Sequence, residues 1–306
     1  MRRTLALRRV VRRAVRRDLH RALMLGVASV SLTACVLRGP VTNTFGFMPK
    51  PMHKERAMPS EWGWDSARLD TISRADSAGG LLAWWGAAPA GSAACGGALL
   101  LHGKGKNRAE LLPLGQAMQA AGFSVLIPDY RGYGGTDGEP TTSGVFSDAA
   151  LAYSDLRARL GDSITPIVVI GHSMGTALAA RLTRDNSPAA TVYMTPFTRI
   201  STLVRARAGA IGPRLFDTTA FAFNPIEDAA AAPGRSLVVV AGRDLLIRKS
   251  VTDAFVAGLP ANGGVVRDPK ASHAGVVKSK LVLQAVTDSM RAWTACGARV
   301  EAAGGR

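Results

Sequence analysis

Short apolar runs recur along this chain at 97–101, 123–127, 167–170, 191–194, 236–241 and 264–267. Most are apolar without alternation, the pattern of strands buried on both faces of a sheet. Between them lie segments with helical spacing, at 109–121, 146–160, 176–182, 249–259 and, closing the body, 276–296. In the second of these, Asp148, Asp155, Arg157 and Arg159 are expected on the wet face. Two further strands, 67–74 and 81–85, come first and are expected to pair antiparallel, with Trp84 and Trp85 as packing residues. Strands that alternate with helices predict an α/β fold, a parallel sheet covered on both sides whose strand C-termini gather one site. The stretch 198–233 has no strand signal and is rich in Ala and Arg, with Phe216, Phe221 and Phe223. It reads as a small lid, its aromatics either lining a pocket or packing onto the body.

The first 60 residues follow no such pattern. Residues 1–21 are studded with arginine, and 22–34 form an apolar run of 13 residues, too short to span a bilayer comfortably. The run ends in Leu32-Thr-Ala-Cys35, which resembles the bacterial lipobox, in which the cysteine is lipidated and becomes the mature N-terminus. Arg2-Arg3 also fits a twin-arginine signal, and a cleaved signal with an incidental cysteine is the alternative reading. Two acyl chains on Cys35 would anchor the protein firmly to a membrane. Val36 follows, not Asp, and by resemblance to lipoprotein sorting this permits the outer membrane. The expected location is the cell envelope, lipid-anchored and facing the periplasm. Residues 35–60 contain Pro40, Pro49, Pro51 and Pro59 and read as a tether. The folded body is then 61–306, with the lid at about 198–233.

Charge adds little to that picture. Of the formal +16, residues 1–34 hold nine Arg and one Asp, which leaves +8 for everything after them. No basic block there interleaves with aromatics, so no nucleic-acid partner is expected. A chain of 306 residues, 47% of them hydrophobic, suits one domain with ample core.

The candidate chemistry centres on Gly171-His172-Ser173-Met174-Gly175, a G-x-S-x-G sequence between a strand and a helix. A turn this sharp strains its central residue and lifts the hydroxyl of Ser173 above the sheet, at the positive end of the helix. A serine hydroxyl needs a base. Of the five histidines, His20 lies in the leader, His53 in the tether, and His102 and His172 in two glycine loops. That leaves His273, after the last strand. Asp244, at the end of a buried strand, is the acid that would hold its tautomer; the alternatives are a helix-capping acid and a solvated loop histidine. The backbone N–H groups of Lys104 and Met174 would form an oxyanion hole. Cysteine and histidine spacing implies neither metal nor cofactor. Cys95 and Cys296 would remain after lipidation, free or paired.

His102-Gly103 with Asn107, Asp129-Tyr-Arg-Gly-Tyr-Gly134, Gly171-His-Ser-Met-Gly175, Asp244-Leu-Leu-Ile247 and Ser272-His273, in this order, resemble the α/β-hydrolases of the serine aminopeptidase-like, Bem46/ABHD-type group. The resemblance covers roughly 62–296. It implies an α/β-hydrolase fold: a mostly parallel, eight-stranded sheet with helices on both faces and a small lid. It also implies hydrolysis of carboxylic esters or thioesters through an acyl-enzyme, on a small-molecule or lipid substrate. A serine peptidase of the same fold and an inactive binding scaffold are the alternatives. Only Arg243 separates Gly242 from Asp244, where relatives usually have two residues.

Overall fold

The computed structural model describes residues 57–75, 77–90, 95–161, 165–209, 223–232 and 234–296. The leader, Cys35, the tether up to 56, and Phe216 and Phe221 of the expected lid lie outside them.

The sheet is built from β1 (Ala67–Arg74), β2 (Ser77–Gly86), β3 (Gly96–Leu101), β4 (Phe123–Pro128), β5 (Ile167–His172), β6 (Ala190–Met194), β7 (Arg235–Arg243) and β8 (Gly264–Ser272). They form one eight-stranded sheet in the order β1-β2-β4-β3-β5-β6-β7-β8. β1 and β2 pair antiparallel and β2 runs antiparallel to β4. From β4 across to β8 every pairing is parallel. The expected fold class is therefore the observed one. Every residue of β3, β4, β5 and β6 is buried, as their unbroken apolar composition requires.

The described helices are α1 (Leu112–Ala120), α2 (Thr142–Leu160), α3 (Gly175–Asn186), α4 (Ile200–Ala208), α5 (Pro225–Ala230), α6 (Lys249–Ala257) and α7 (Lys280–Trp293). The strand side chains divide between two cores. Leu99, Leu101 and Val169 face Val145, Ala149 and Leu156 of α2 and Ala177 of α3. Ala98, Leu100 and Val168 face Leu114 and Met118 of α1 and Val282, Val286 and Met290 of α7. Alternate residues of one strand thus feed opposite layers.

Some boundaries differ from the sequence expectation. The helix expected at 109–121 is a 3-10 turn, Arg108–Leu111, followed by α1, whose first turn holds Pro113. Proline suits a first turn, where its missing N–H is not needed. The helix expected at 276–296 breaks at Ser279, which is extended and caps α7 by accepting from the Val282 N–H at 3.4 Å. Asp148 is not on a wet face: it is 1% exposed. Its carboxylate accepts from Arg131 Nη2 at 2.7 Å and from the Arg131 backbone N–H at 2.8 Å. The partner comes from a loop distant in sequence, which helical spacing does not reveal. Trp84 is fully buried, and its Nε1 donates to Ala57 O at 3.2 Å, so Ala57 is packed against the body. Phe223 is buried against Phe146, ring centroids 5.4 Å apart.

Candidate active site

The C-terminal ends of β3, β5, β7 and β8 lie along one edge because those strands run parallel in one sheet, with β6 between β5 and β7. Ser173 follows β5 directly and has φ 53°, a left-handed conformation costly for any residue but glycine. The turn is fixed from both sides. The Ser173 N–H donates to Met194 O at 3.0 Å, and Ser173 O accepts from the Thr176 N–H at 3.0 Å. A Cβ at 171 would lie 2.2 Å from Gly175 O, and one at 175 would lie 2.1 Å from Leu101 O. Only glycine lets the strand, the turn and α3 pass this closely. Gly103 also lies against the turn, since a Cβ there would sit 3.3 Å from the Ser173 Cβ. The loop bearing Lys104 is thereby held next to Ser173, and Met174 lies immediately before α3.

The acid and the imidazole meet. His273 Nδ1 lies 2.7 Å from Asp244 Oδ2, with both side chains largely buried. The other carboxylate oxygen, Oδ1, accepts the backbone N–H groups of Leu246 and Ile247, each at 2.8 Å. Burial alone would raise the carboxyl pKa of Asp244. The His273 contact and the two N–H groups outweigh it and hold the pKa below its usual value. An ionised carboxylate only accepts, so the hydrogen of this contact sits on His273 Nδ1, and in the neutral ring that tautomer puts the lone pair on Nε2. The two residues share a frame: β7 and β8 pair in parallel up to Arg243 opposite Ser272.

Two histidines that the spacing assigned to glycine loops support this edge. His172 is buried, with Nε2 3.0 Å from His273 O and Nδ1 3.3 Å from Glu110 Oε2. The second contact is at ion-pair distance but is not aligned as a hydrogen bond, and among the described residues Nδ1 has no hydrogen-bond partner. The same Oε2 accepts the Gly103 N–H at 3.1 Å. One carboxylate therefore ties the Gly103 loop to the residue before Ser173, and that residue holds the His273 backbone. His102 is fully buried, its Nε2 3.3 Å from Asp129 Oδ1. Asp129 also pairs with the guanidinium of Arg108 and accepts the Arg108 N–H at 2.7 Å. Arg108 in turn donates to Gly134 O at 2.9 Å, fixing the glycine-rich loop after β4. Sequence reasoning placed His102 and Asp129 correctly at this edge but gave no part to Arg108 or Glu110. The available signal was Asn107-x-x-Glu110, the pattern of a helix start. Asn107 does cap, accepting from the Ala109 N–H at 3.2 Å, but Glu110 turns instead to Gly103.

Glu110 carries a pH prediction. Burial raises its pKa, yet contacts with His172, the Gly103 N–H and His102 bring it to about 2, from 4.5. A folded-state pKa below the unfolded one stabilises at neutral pH by roughly 3 kcal/mol, and this is lost as pH falls from about 4.5 toward about 2. Urea unfolding at pH 7 and pH 3 should show a smaller acid loss in Glu110→Gln than in the wild type. Equal losses would exclude the linkage.

Among the described residues no group of His, Cys, Asp and Glu is arranged to hold a metal ion.

Comparison with known proteins agrees with this architecture. Residues 93–219 match the family model described as serine aminopeptidase, S33. A Mycobacterium tuberculosis protein, Rv2307c, is 30% identical over 178 residues, covering 57% of this chain and 62% of that protein. The lysophosphatidylserine lipase ABHD12 of Gallus gallus is 33% identical over 128 residues, covering 39% of this chain and 32% of that protein. The chain thus spans less than two thirds of the length of these relatives. Among solved structures, the Pyrococcus furiosus esterase Pf2001 superposes with a TM-score of 0.65 at 19% identity, covering 81% of this chain and 98% of that one. With the sheet order and the strained serine turn, these likenesses show that the chain has the α/β-hydrolase fold.

Proposed function

We propose that this protein is a serine hydrolase that cleaves carboxylic esters, thioesters included, through an acyl-enzyme. The observation that carries the reading is the 2.7 Å contact of His273 Nδ1 with Asp244 Oδ2 at the sheet edge where Ser173 stands at φ 53°. Nε2 of His273 takes the proton of Ser173 as its oxygen attacks the ester carbonyl. The N–H groups of Lys104 and Met174 receive the oxyanion. Collapse of the tetrahedral species expels the alcohol, protonated by His273, and water activated at the same nitrogen then frees the acid. The preference for esters over peptides leans on the esterase and the lysophosphatidylserine lipase among the similar proteins. The lid at about 198–233 would supply the acyl pocket.

A fluorophosphonate probe tests the assignment of the nucleophile. The wild type should become labelled, with the adduct on Ser173 by peptide mass spectrometry, and Ser173→Ala should not. Equal labelling of both, or of neither, would overturn the reading. A panel of p-nitrophenyl esters and aminoacyl amides decides the substrate class: turnover of amides alone would make the protein a peptidase.

We also propose that Cys35 carries the lipid anchor and that the body faces an oxidising side of the envelope. The lipobox-like sequence supports the first part. The Cys95–Cys296 disulfide, Cα atoms 4.7 Å apart, supports the second. Metabolic labelling with palmitate should mark the wild type and not Cys35→Ala.

A further inference from the structure

The turn that positions Asp244 also presents an unusual surface. Leu245 is 94% exposed and Leu246 is 49% exposed. The turn cannot tuck them away, because its backbone is pinned. Asp244 Oδ1 holds the N–H groups of Leu246 and Ile247, and the Ile247 side chain is buried in the core. Arg243 and Arg248 flank the two leucines and are both exposed. Among the described residues, neither forms an ion pair, whereas nearby Lys249 and Arg267 are both committed to Asp253. Residues 236–280 hold seven Lys or Arg against three Asp, and the chain after residue 34 is net +8.

Two outward leucines between two unpaired guanidiniums suit an interface between hydrocarbon and anionic headgroups. The side chains enter the acyl region, and the guanidiniums stay at phosphate depth. We infer that the turn Arg243–Arg248 docks this protein onto the surface of an anionic bilayer. Charge complementarity favours a lipid surface, and the turn shares the sheet edge with Ser173 and His273. Docking there would bring that edge to the depth at which ester bonds of membrane lipids lie. The binding step does not require Ser173 chemistry, so it stands apart from the hydrolytic reading; only its use in turnover rests on that reading.

The test uses the full chain carrying Ser173→Ala, so that no lipid is consumed, with and without Leu245→Trp. Vesicles are phosphatidylcholine with about one quarter phosphatidylglycerol, with or without brominated acyl chains. The extra emission from the introduced indole should shift to the blue and fall at least twofold on brominated vesicles. Arg243→Gln with Arg248→Gln, or vesicles of phosphatidylcholine alone, should largely abolish the quenching. Co-sedimentation with the vesicles but no quenching would mean that only the N-terminal segment binds, and would overturn the inference. So would quenching that is indifferent to phosphatidylglycerol. As a second measurement, Leu245→Asn in the active chain should lower turnover of a vesicle-embedded ester about tenfold and leave a water-soluble p-nitrophenyl ester unchanged. Equal turnover of both esters by wild type and variant would overturn docking. A wild type inactive on both would count against the hydrolytic reading, while the quenching result would still judge the docking.

Discussion

Asp244→Asn should lower kcat on a soluble ester by about 10⁴-fold, with the circular dichroism spectrum and melting temperature nearly unchanged. The separation of these effects follows from how the side chain is held. Oδ1 accepts from two backbone N–H groups, a role the amide oxygen of asparagine keeps. Oδ2 faces His273 Nδ1, and there the variant places an NH₂ group. A donor at that point favours the tautomer with hydrogen on Nε2, which can no longer accept a proton from Ser173. The loop therefore persists and the base does not. Comparing stopped kinetics of the two proteins on one p-nitrophenyl ester decides the matter. A variant within tenfold of the wild type would show that Asp244 is only a turn residue.

Breaking the Cys95–Cys296 link should cost about 3–5 kcal/mol. The bridge joins residues 201 positions apart, so it constrains nearly the whole unfolded body. It also lies at an informative place. Cys95 immediately precedes β3, in the middle of the sheet, and Cys296 follows α7, which covers one face. Both sulfurs are buried. Cys95→Ala with Cys296→Ala should melt about 10 °C lower. The same shift should appear in the wild type on full reduction. Two free thiols on unreduced mature protein, or unchanged melting of the variant, would exclude the bridge as a source of stability.

Most of the architecture was legible because the buried strands announce themselves. β3, β4 and β5 are apolar throughout, and a strand covered on both faces has no reason to alternate. The turn around Ser173 was legible for a different reason: two glycines and a serine at fixed spacing suit one geometry, and the φ of 53° is its signature. Asp244 and His273 could be placed at strand ends, and the structure brings their side chains together. What stayed hidden depends on contacts between distant segments. Glu110 has the spacing of a helix cap, yet its carboxylate serves Gly103 and His172. Asp148 falls on the polar side of a helical wheel, yet it is buried by Arg131. In both cases a local pattern was satisfied on paper by a residue whose partner only folding supplies. The leader, Cys35 and residues 210–222 of the expected lid lie outside the described residues.

The connection between β6 and β7 holds α4 and α5 and the lid region, while Ser173 precedes it in the chain and Asp244 and His273 follow it. Meanwhile β6 and β7 are bonded directly to each other, Ala190 opposite Arg235 through Met194 opposite Val239. The excursion between them is thus a cassette whose two ends are welded together beneath it. Exchanging that cassette for another of different length would leave the β6–β7 ladder intact, so the sheet that carries Ser173, Asp244 and His273 tolerates insertion at this one connection.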